Sequence, residues 1–552
     1  MAPSSNGALL SLRILLLCAL AAAVVTTLLP LVTRPCAYSV PRTILAATGV
    51  LSCSGDASDT AALSEDAGAG EKARRSHRPA ACGDPDLPPH ALPPFRCCPP
   101  TPASAPANFT FPDAGEPLRT RRPVHEAGAA HMAKFARAVA LMKALPRDDP
   151  RSFHQQASIH CAYCAGALFF PFHRAYLYFF ERIAARLLGD DPAFAVPFWS
   201  WDVPEGMRVP AEFADAASPL FDPMRNSRHA PPAVVDLDFL DAEKNLTVEQ
   251  QIQHNLRIMY KQMISNAPLP SLFQGQPYRA GDAEKPGAGT VEVYPHNTMH
   301  GWTGDVSPPN HEDMGVYYSA GRDPIFYPHH ANIDRLWEAW RGSAAAARGR
   351  RRRADFADHD WLDSSFLFYD EDARLVRVTV RDMLDVGRLR YRYAGVGLPW
   401  LRARPPATPG VNGGRGKLKS VTFPVSLDAA VSVEVRRPAA LRSRRQKAAR
   451  EEVLVVEGVE ADGAGFVKFD VYVNAVEYEK VGPGGREMAG SFVSLKHPGG
   501  EEAEAARTSM RVALNELLED LGADGDESVT VTLVPVRGKV RIGGLRIVYM
   551  AE

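Results

Sequence analysis

The segment between His296 and Trp337 carries the residue types best suited to chemistry: HNTMHGWTGD is followed by DMGVYYSAGR and DPIFYPHHANIDRLW. His296 and His300 are four apart, so on a helix their imidazoles stand on one side, one turn above the other. His329 and His330 follow one loop later, at the head of a second apolar helical pattern made by Ile333, Leu336, Trp337 and Trp340. A third imidazole can therefore close on the same point. Three neutral imidazoles with no neighbouring thiolate or carboxylate suit copper, zinc or iron. A zinc protease would need glutamate directly after the first histidine as general base. Asn297 stands there, which excludes that reading.

A bare pair of histidines four apart also arises from two unrelated side chains, so the elements around it matter. Between Pro123 and Pro146, Met132, Phe135, Val139 and Met142 line one side of a predicted core helix. The string SFHQQASIHCAYCAGALFFPFHRAYLYFFERIAARLL then brings His160 and His173, with Phe169, Phe170, Phe172, Tyr176, Phe179 and Phe180 as core packing or as walls of a site. Residues 395–417 are rich in Pro and Gly and read as a linker, and the arginine runs at 350–353 and 442–450 read as solvated, protease-accessible loops. Beyond them, seven short β-branched segments from VTFPVSL to VRIGGLRIVYM, with one helical pattern around residues 510–521, predict an antiparallel β domain. Its one histidine, His497, cannot make a metal site alone.

A chain of 552 residues has room for two or three domains. Lys plus Arg (63) nearly cancels Asp plus Glu (64), which gives no field for nucleic acid. Of eight cysteines, Cys18, Cys36 and Cys53 fall in a targeting region and five remain. The adjacent Cys97 and Cys98 cannot easily bridge each other, so each seeks a distant partner, with Cys82 and Cys161 the natural candidates and Cys164 left over. The uncharged apolar run at 14–29 follows Arg13, and no acid precedes Asp56. This fits a signal-peptide core, a short membrane anchor or a plastid transit peptide. Sequons at Asn108 and Asn245 favour the secretory or vacuolar route, with the thylakoid lumen as the alternative.

The strings HGWTGD, DMG, YSAGRDPIF and HHANIDRLW, with HCAYC, FFPFHR, DWL from Asp360 and KFDV at 468–471, resemble the plant polyphenol oxidases of the tyrosinase and catechol oxidase family. The resemblance implies a mainly α copper-binding helical bundle followed by an antiparallel β-sandwich C-terminal domain. Its implied divisions are a targeting segment at 1–55, a flexible linker at 56–80, a catalytic domain at 81–394 with the DWL segment at about 360–394, a linker at 395–420, and a shielding domain at 421–552 that keeps the enzyme latent until a protease acts. It also implies two copper ions, one held by His160 and His173 and one by His296, His300 and His330, and disulfides pairing Cys82 with Cys98 and Cys97 with Cys161.

The family has a further histidine nine residues before the position of His173, in a thioether with the cysteine at the position of Cys164. Here that position is Cys164 itself, so the middle ligand is absent. His154, six before His160, is off the helical face and a poor substitute. By resemblance, Glu292 orients a water that takes the phenol proton, Asn297 helps to hold it, and Tyr317 stands where the family has a gate phenylalanine. Asp334 is expected to orient histidines or Arg335. The implied reaction is oxidation of o-diphenols to o-quinones, with dioxygen reduced to water. The alternatives are an inactive member with an incomplete first site and an oxygen carrier resembling hemocyanin.

Overall fold

The computed structural model describes residues 105–162, 168–239, 244–277, 287–305, 307, 310–342, 353–406, 408, 411, 421–461, 465–482, 484–495 and 507–551, with residues 161 and 162 as backbone only. The expected segments at 1–55 and 56–80, the Cys82, Cys97, Cys98 and Cys161 side chains, Cys164 and His497 lie outside the described residues. Among the described residues no helix is long and apolar enough to cross a membrane.

A short strand, β1 (Arg119–Arg121), leads into the helical part. Helix α1 (Ala129–Ala144) buries Met132, Phe135, Val139 and Met142, as their spacing predicts. Gly128 before it adopts φ +80°, which glycine reaches without a Cβ penalty. Helices α2 (Phe153–Ala162) and α3 (Phe169–Leu187) carry His160 and His173. Helix α4 (Val248–Tyr260) starts from a capping box between Thr247 and Gln250. Helices α5 (Asn297–Thr303) and α6 (Phe326–Gly342) carry the other histidines.

Helices α3 and α6 pack against each other at the centre. Every residue of α6 from Phe326 to Trp337 is buried, and α3 is buried from Phe169 to Glu181. Such helices belong inside a core, unlike a surface helix with one apolar stripe. Pro171 and Pro328 fall in the first turns, where a missing N–H breaks no intrahelical bond.

Charges inside this core are paired. Asp334 accepts from Arg174 Nε at 2.6 Å, from Arg121 at 3.1 Å, from the Tyr391 hydroxyl at 2.7 Å and from the Tyr393 hydroxyl. Asp334 therefore does not orient Arg335, which pairs with Asp202 instead. A hairpin of β2 (Ser365–Tyr369) and β3 (Leu375–Thr379) precedes β4 (Tyr391–Tyr393), which pairs in parallel with β1. The YRY segment thus closes the helical unit through both tyrosines.

The C-terminal part is a sandwich of two sheets. Its strands are β5 (Val425–Ser426), β6 (Val431–Arg436), β7 (Glu451–Ala461), β8 (Val467–Val473), β9 (Met488–Ser494), β10 (Arg507–Ala513), β11 (Ser528–Arg537), β12 (Val540–Ile542) and β13 (Gly544–Met550). One sheet runs β9-β8-β11-β6 and the other β10-β7-β12-β5, with β13 also on β7. All of these pairs are antiparallel, and Leu454, Val456, Phe469, Val471, Val531 and Leu533 fill the space between the sheets.

Three expectations change here. Met510 lies in β10 opposite Val456, and the helix is confined to α8 (Asn515–Asp520). The second arginine run is no loop: Arg444–Ala449 form α7, capped by Ser443, and buried Arg442 donates to the Gln446 and Arg450 carbonyls. The expected linker is held fast at its start, where buried Trp400 donates its indole N–H to Asp202 at 3.0 Å and Arg404 pairs with Asp520.

Candidate metal centre

Helices α2, α3, α5 and α6 bring six buried histidines together. Tyr294 is extended (φ −159°, ψ 113°) and Pro295 follows, so helical geometry restarts at His296 and runs into α5. His296 and His300 then lie one turn apart with their Nε2 atoms 3.1 Å from each other, the chelate their spacing predicts. The ligand atoms of His296, His300, His329 and His330 are all within 4.8 Å of one another, and so are those of His160, His173 and His330. His330 belongs to both groups, and its ring stacks on that of His173 with centroids 3.8 Å apart. His154 joins neither.

The ring orientations suit a metal. Nδ1–H donates to a backbone carbonyl in four histidines: His160 to Tyr317 at 3.0 Å, His173 to Phe169 at 2.8 Å, His300 to Met314 at 2.8 Å and His296 to Glu292 at 3.2 Å. His296 Nδ1 also meets the Asn297 side-chain oxygen at 3.0 Å. With its proton on Nδ1, each ring turns an Nε2 lone pair inward, the arrangement found at metal-ligating histidines. Burial is the main cause that keeps these rings neutral, pulling His173 down to about 3 and His300 to about 4. His160, His296 and His330 are also held well below the ordinary range by burial, and the neighbouring imidazoles add to it. Among the described residues, His173 Nε2 and both ring nitrogens of His330 are buried without a hydrogen-bond partner. Leaving such atoms unpaired is costly, and a cation that takes their lone pairs removes the cost. The all-imidazole donor set therefore fits copper.

The pair on α6 divides by its neighbours. Trp201 donates its indole N–H to His329 Nδ1 at 3.0 Å. No sequence signal singles out Trp201, which is 128 residues away. Phe326 was likewise not expected: its ring lies 4.2 Å from that of His330 and 4.7 Å from that of His160. Its position four before His330 matches that of Phe169 before His173, and Phe169 lies 4.7 Å from the rings of both His173 and His296. Two phenylalanines thus wall the centre from opposite helices.

Tyr317 packs against the first group, its ring centroid 4.7 Å from that of His160 and its hydroxyl donating to the His160 carbonyl at 3.1 Å. Buried Glu292 precedes His296 by four residues, on the far side of the extended Tyr294. The Asn297 amide donates to the Val493 carbonyl of β9 at 2.9 Å, which ties the residue after His296 to the β domain. Phe466, Val493 and Leu495 of that domain join the helical core, and a Cβ built on Gly301 of α5 would lie 3.3 Å from the Phe466 ring.

A buried imidazole centre in a helical bundle, with a β-sandwich packed on the helix that bears two of the ligands, defines a class of histidine-ligated metalloprotein. Three family profiles match in order: "Common central domain of tyrosinase" over residues 150–343, "Polyphenol oxidase middle domain" over 355–406 and "Chloroplastic Polyphenol Oxidase C-terminal domain" over 423–549. A chloroplastic polyphenol oxidase of Malus domestica is 46% identical over 503 residues, covering 85% of this chain and 83% of that protein. Aureusidin synthase of Antirrhinum majus is 47% identical over 484 residues, covering 82% of this chain and 84% of that protein. The structure of latent apple tyrosinase superposes with a TM-score of 0.75 at 47% identity, covering 81% of this chain and all of that one (100%). The chain belongs to the plant polyphenol oxidases of the tyrosinase family, which are copper oxidoreductases.

Proposed function

We propose that this chain oxidises o-diphenols to o-quinones with dioxygen, using copper held by His296, His300 and His330 at one site and by His160 and His173 at the other. The observation that carries the reading is the convergence of buried imidazoles whose Nδ1 protons are committed to backbone carbonyls. Copper, when bound, would supply the electron transfer between phenol and dioxygen. The residues of the chain do the rest. The backbone carbonyls hold the rings in register, while Phe169 and Phe326 exclude water. Glu292 takes the phenol proton through a water that Asn297 helps to hold, and Tyr317 flanks the approach on the His160 side.

The β domain makes the full chain latent by setting Phe466 over α5, and cleavage in the linker between Gly395 and Lys417 releases it. Disulfides pairing Cys82 with Cys98 and Cys97 with Cys161 fasten the N-terminal arm. The targeting segment at 1–55 leads to the chloroplast, a reading supported by the names of several relatives, which carry the word chloroplastic. The secretory or vacuolar route has no such support.

Position 164 gives a second reading. Cys164 stands where the family places the middle ligand of the first copper, so this chain holds that ion with fewer imidazoles than its relatives. Losing an outer partner alone lowers metal affinity about 10- to 100-fold, and losing a direct ligand lowers it further. The test is copper content with oxygen uptake on a catechol, for the chain as it stands, for His300→Ala and for a form with a family-like loop and histidine restored after Cys164. The expected results are about one tightly bound copper, almost none, and two with gained turnover. Unchanged copper in His300→Ala would end the ligand assignment, and two coppers in the chain as it stands would end the reading of position 164.

A further inference from the structure

Neighbouring residues on a helix point about 100° apart, yet His329 and His330 both reach the centre, and the ligand atoms of both lie within 4.8 Å of those of His296 and His300. Either could ligate as far as distance goes. Their hydrogen bonds separate them. An indole N–H only donates, so the Trp201 contact at 3.0 Å requires an unprotonated Nδ1 on His329. A neutral imidazole then carries its proton on Nε2, the reverse of His160, His173, His296 and His300. An Nε2 that bears a proton has no lone pair for a metal. Among the described residues His330 has no such partner on either nitrogen, so its lone pair is available.

We infer that Trp201 is a positioning residue that sorts this pair: by fixing the Nε2–H tautomer of His329 it keeps that ring out of the metal's coordination, leaves the third place to His330, and turns the His329 N–H into the centre as a fixed hydrogen-bond donor. Among the described residues that buried N–H has no acceptor, and a fixed donor of this kind suits a phenolate or carboxylate oxygen of a bound aromatic ligand. Trp201 is itself fully buried, in the loop where Trp199 donates to the Gly206 and Arg208 carbonyls and Asp202 binds Asn332, Arg335 and Trp400. The donor therefore rests on a scaffold anchored at several points. The inference rests on the ligand assignment under Proposed function, and its test separates the two.

Load the full chain with zinc, which is diamagnetic and redox-silent, and read the imidazole nitrogens by 15N NMR, identifying His329 by its loss in His329→Gln. The expected result is a protonated Nε2 and a bare Nδ1 on His329, with the reverse on the zinc-bound rings. A zinc-shifted Nε2 on His329 would overturn the inference. In parallel, measure zinc affinity. His330→Ala should lose at least about 10-fold at the second site, whereas His329→Gln, whose side-chain oxygen can still accept from Trp201, should change little. Trp201→Phe on the His330→Ala background should recover much of the loss, because a freed His329 can then offer its lone pair. No recovery, with the double variant folded by circular dichroism, would overturn the sorting role, and should it not fold, the NMR result decides alone. Retention of second-site zinc by His296→Ala would instead remove the ligand assignment beneath it.

Discussion

Asp334 shows how single residues hold the centre without touching a metal. Its carboxylate takes hydrogen bonds from two arginines and two tyrosines on three different segments, and it lies on α6 one turn beyond His330. Those cations keep it ionised and hold it below the usual carboxylate range against the opposing effect of burial. Asp334→Asn leaves Arg174 and Arg121 buried with less compensation, and removing one member of such a group typically costs about 3–5 kcal/mol. Urea denaturation should show a loss of that size, and a change under about 1 kcal/mol would mean that Glu181 and Glu338 suffice for the arginines. Of the two partners the sequence suggests for Asp334, histidines or Arg335, the second pairs with Asp202 instead. A spacing of one residue suggests Arg335, whereas the real partners come from 160 and 213 positions away, which no local pattern records. The same holds for Trp201 and His329. By contrast His296 and His300 were fully legible, because helical geometry alone brings them together.

At the scale of elements, periodicity was a good guide where one face is buried and a poor one where two interactions compete. The spacing of Met132, Phe135, Val139 and Met142 gave α1 correctly. Residues 507–513 also admit a helical reading, but pairing with β7 satisfies their backbone and makes them a strand. The charge of the second arginine run suggests an open loop, but a capping box between Ser443 and Gln446 starts α7 there. The loop before residue 207 is the element on which the Trp201 contact depends. A Cβ on Gly206 would fall 2.3 Å from the Ser200 carbonyl oxygen, a contact that no side-chain rotation can relieve. Gly206→Ala should therefore cost about 1–3 kcal/mol and shift the loop that carries Trp201 and Asp202. Thermal denaturation together with Trp fluorescence checks this, and a variant as stable as the parent with an unchanged spectrum would show that the loop yields freely.

At the scale of the whole molecule, the β domain is joined to the helical part by apolar plugs and by buried polar contacts. In the form with the first-site loop and histidine restored, Phe466→Ala should raise catechol oxidation by the uncleaved chain toward that of the cleaved one, and equal rates before and after the substitution would remove Phe466 from the latency device. The polar contacts make the union depend on pH. Lys261, just past α4, is fully buried and donates to the Gly485 carbonyl at 2.6 Å and to the Met488 carbonyl. Burial lowers its pKa to about 7, while Glu487, Asp238 and Asp470 oppose the shift. In the unfolded chain the same amine stays protonated up to its ordinary value of about 10.4. Between these limits the unfolded state binds one more proton than the folded state, so this group makes stability rise with pH, by up to about 1.4 kcal/mol per pH unit. Below pH 7 both states are charged and its contribution is constant. Lys261→Met removes the titration, so the stability of the parent relative to the variant should climb across about pH 7, 8 and 9 when both are unfolded in urea. A difference that stays flat over that range would mean that the folded protein keeps Lys261 charged, held by the two carbonyls and the three carboxylates around it.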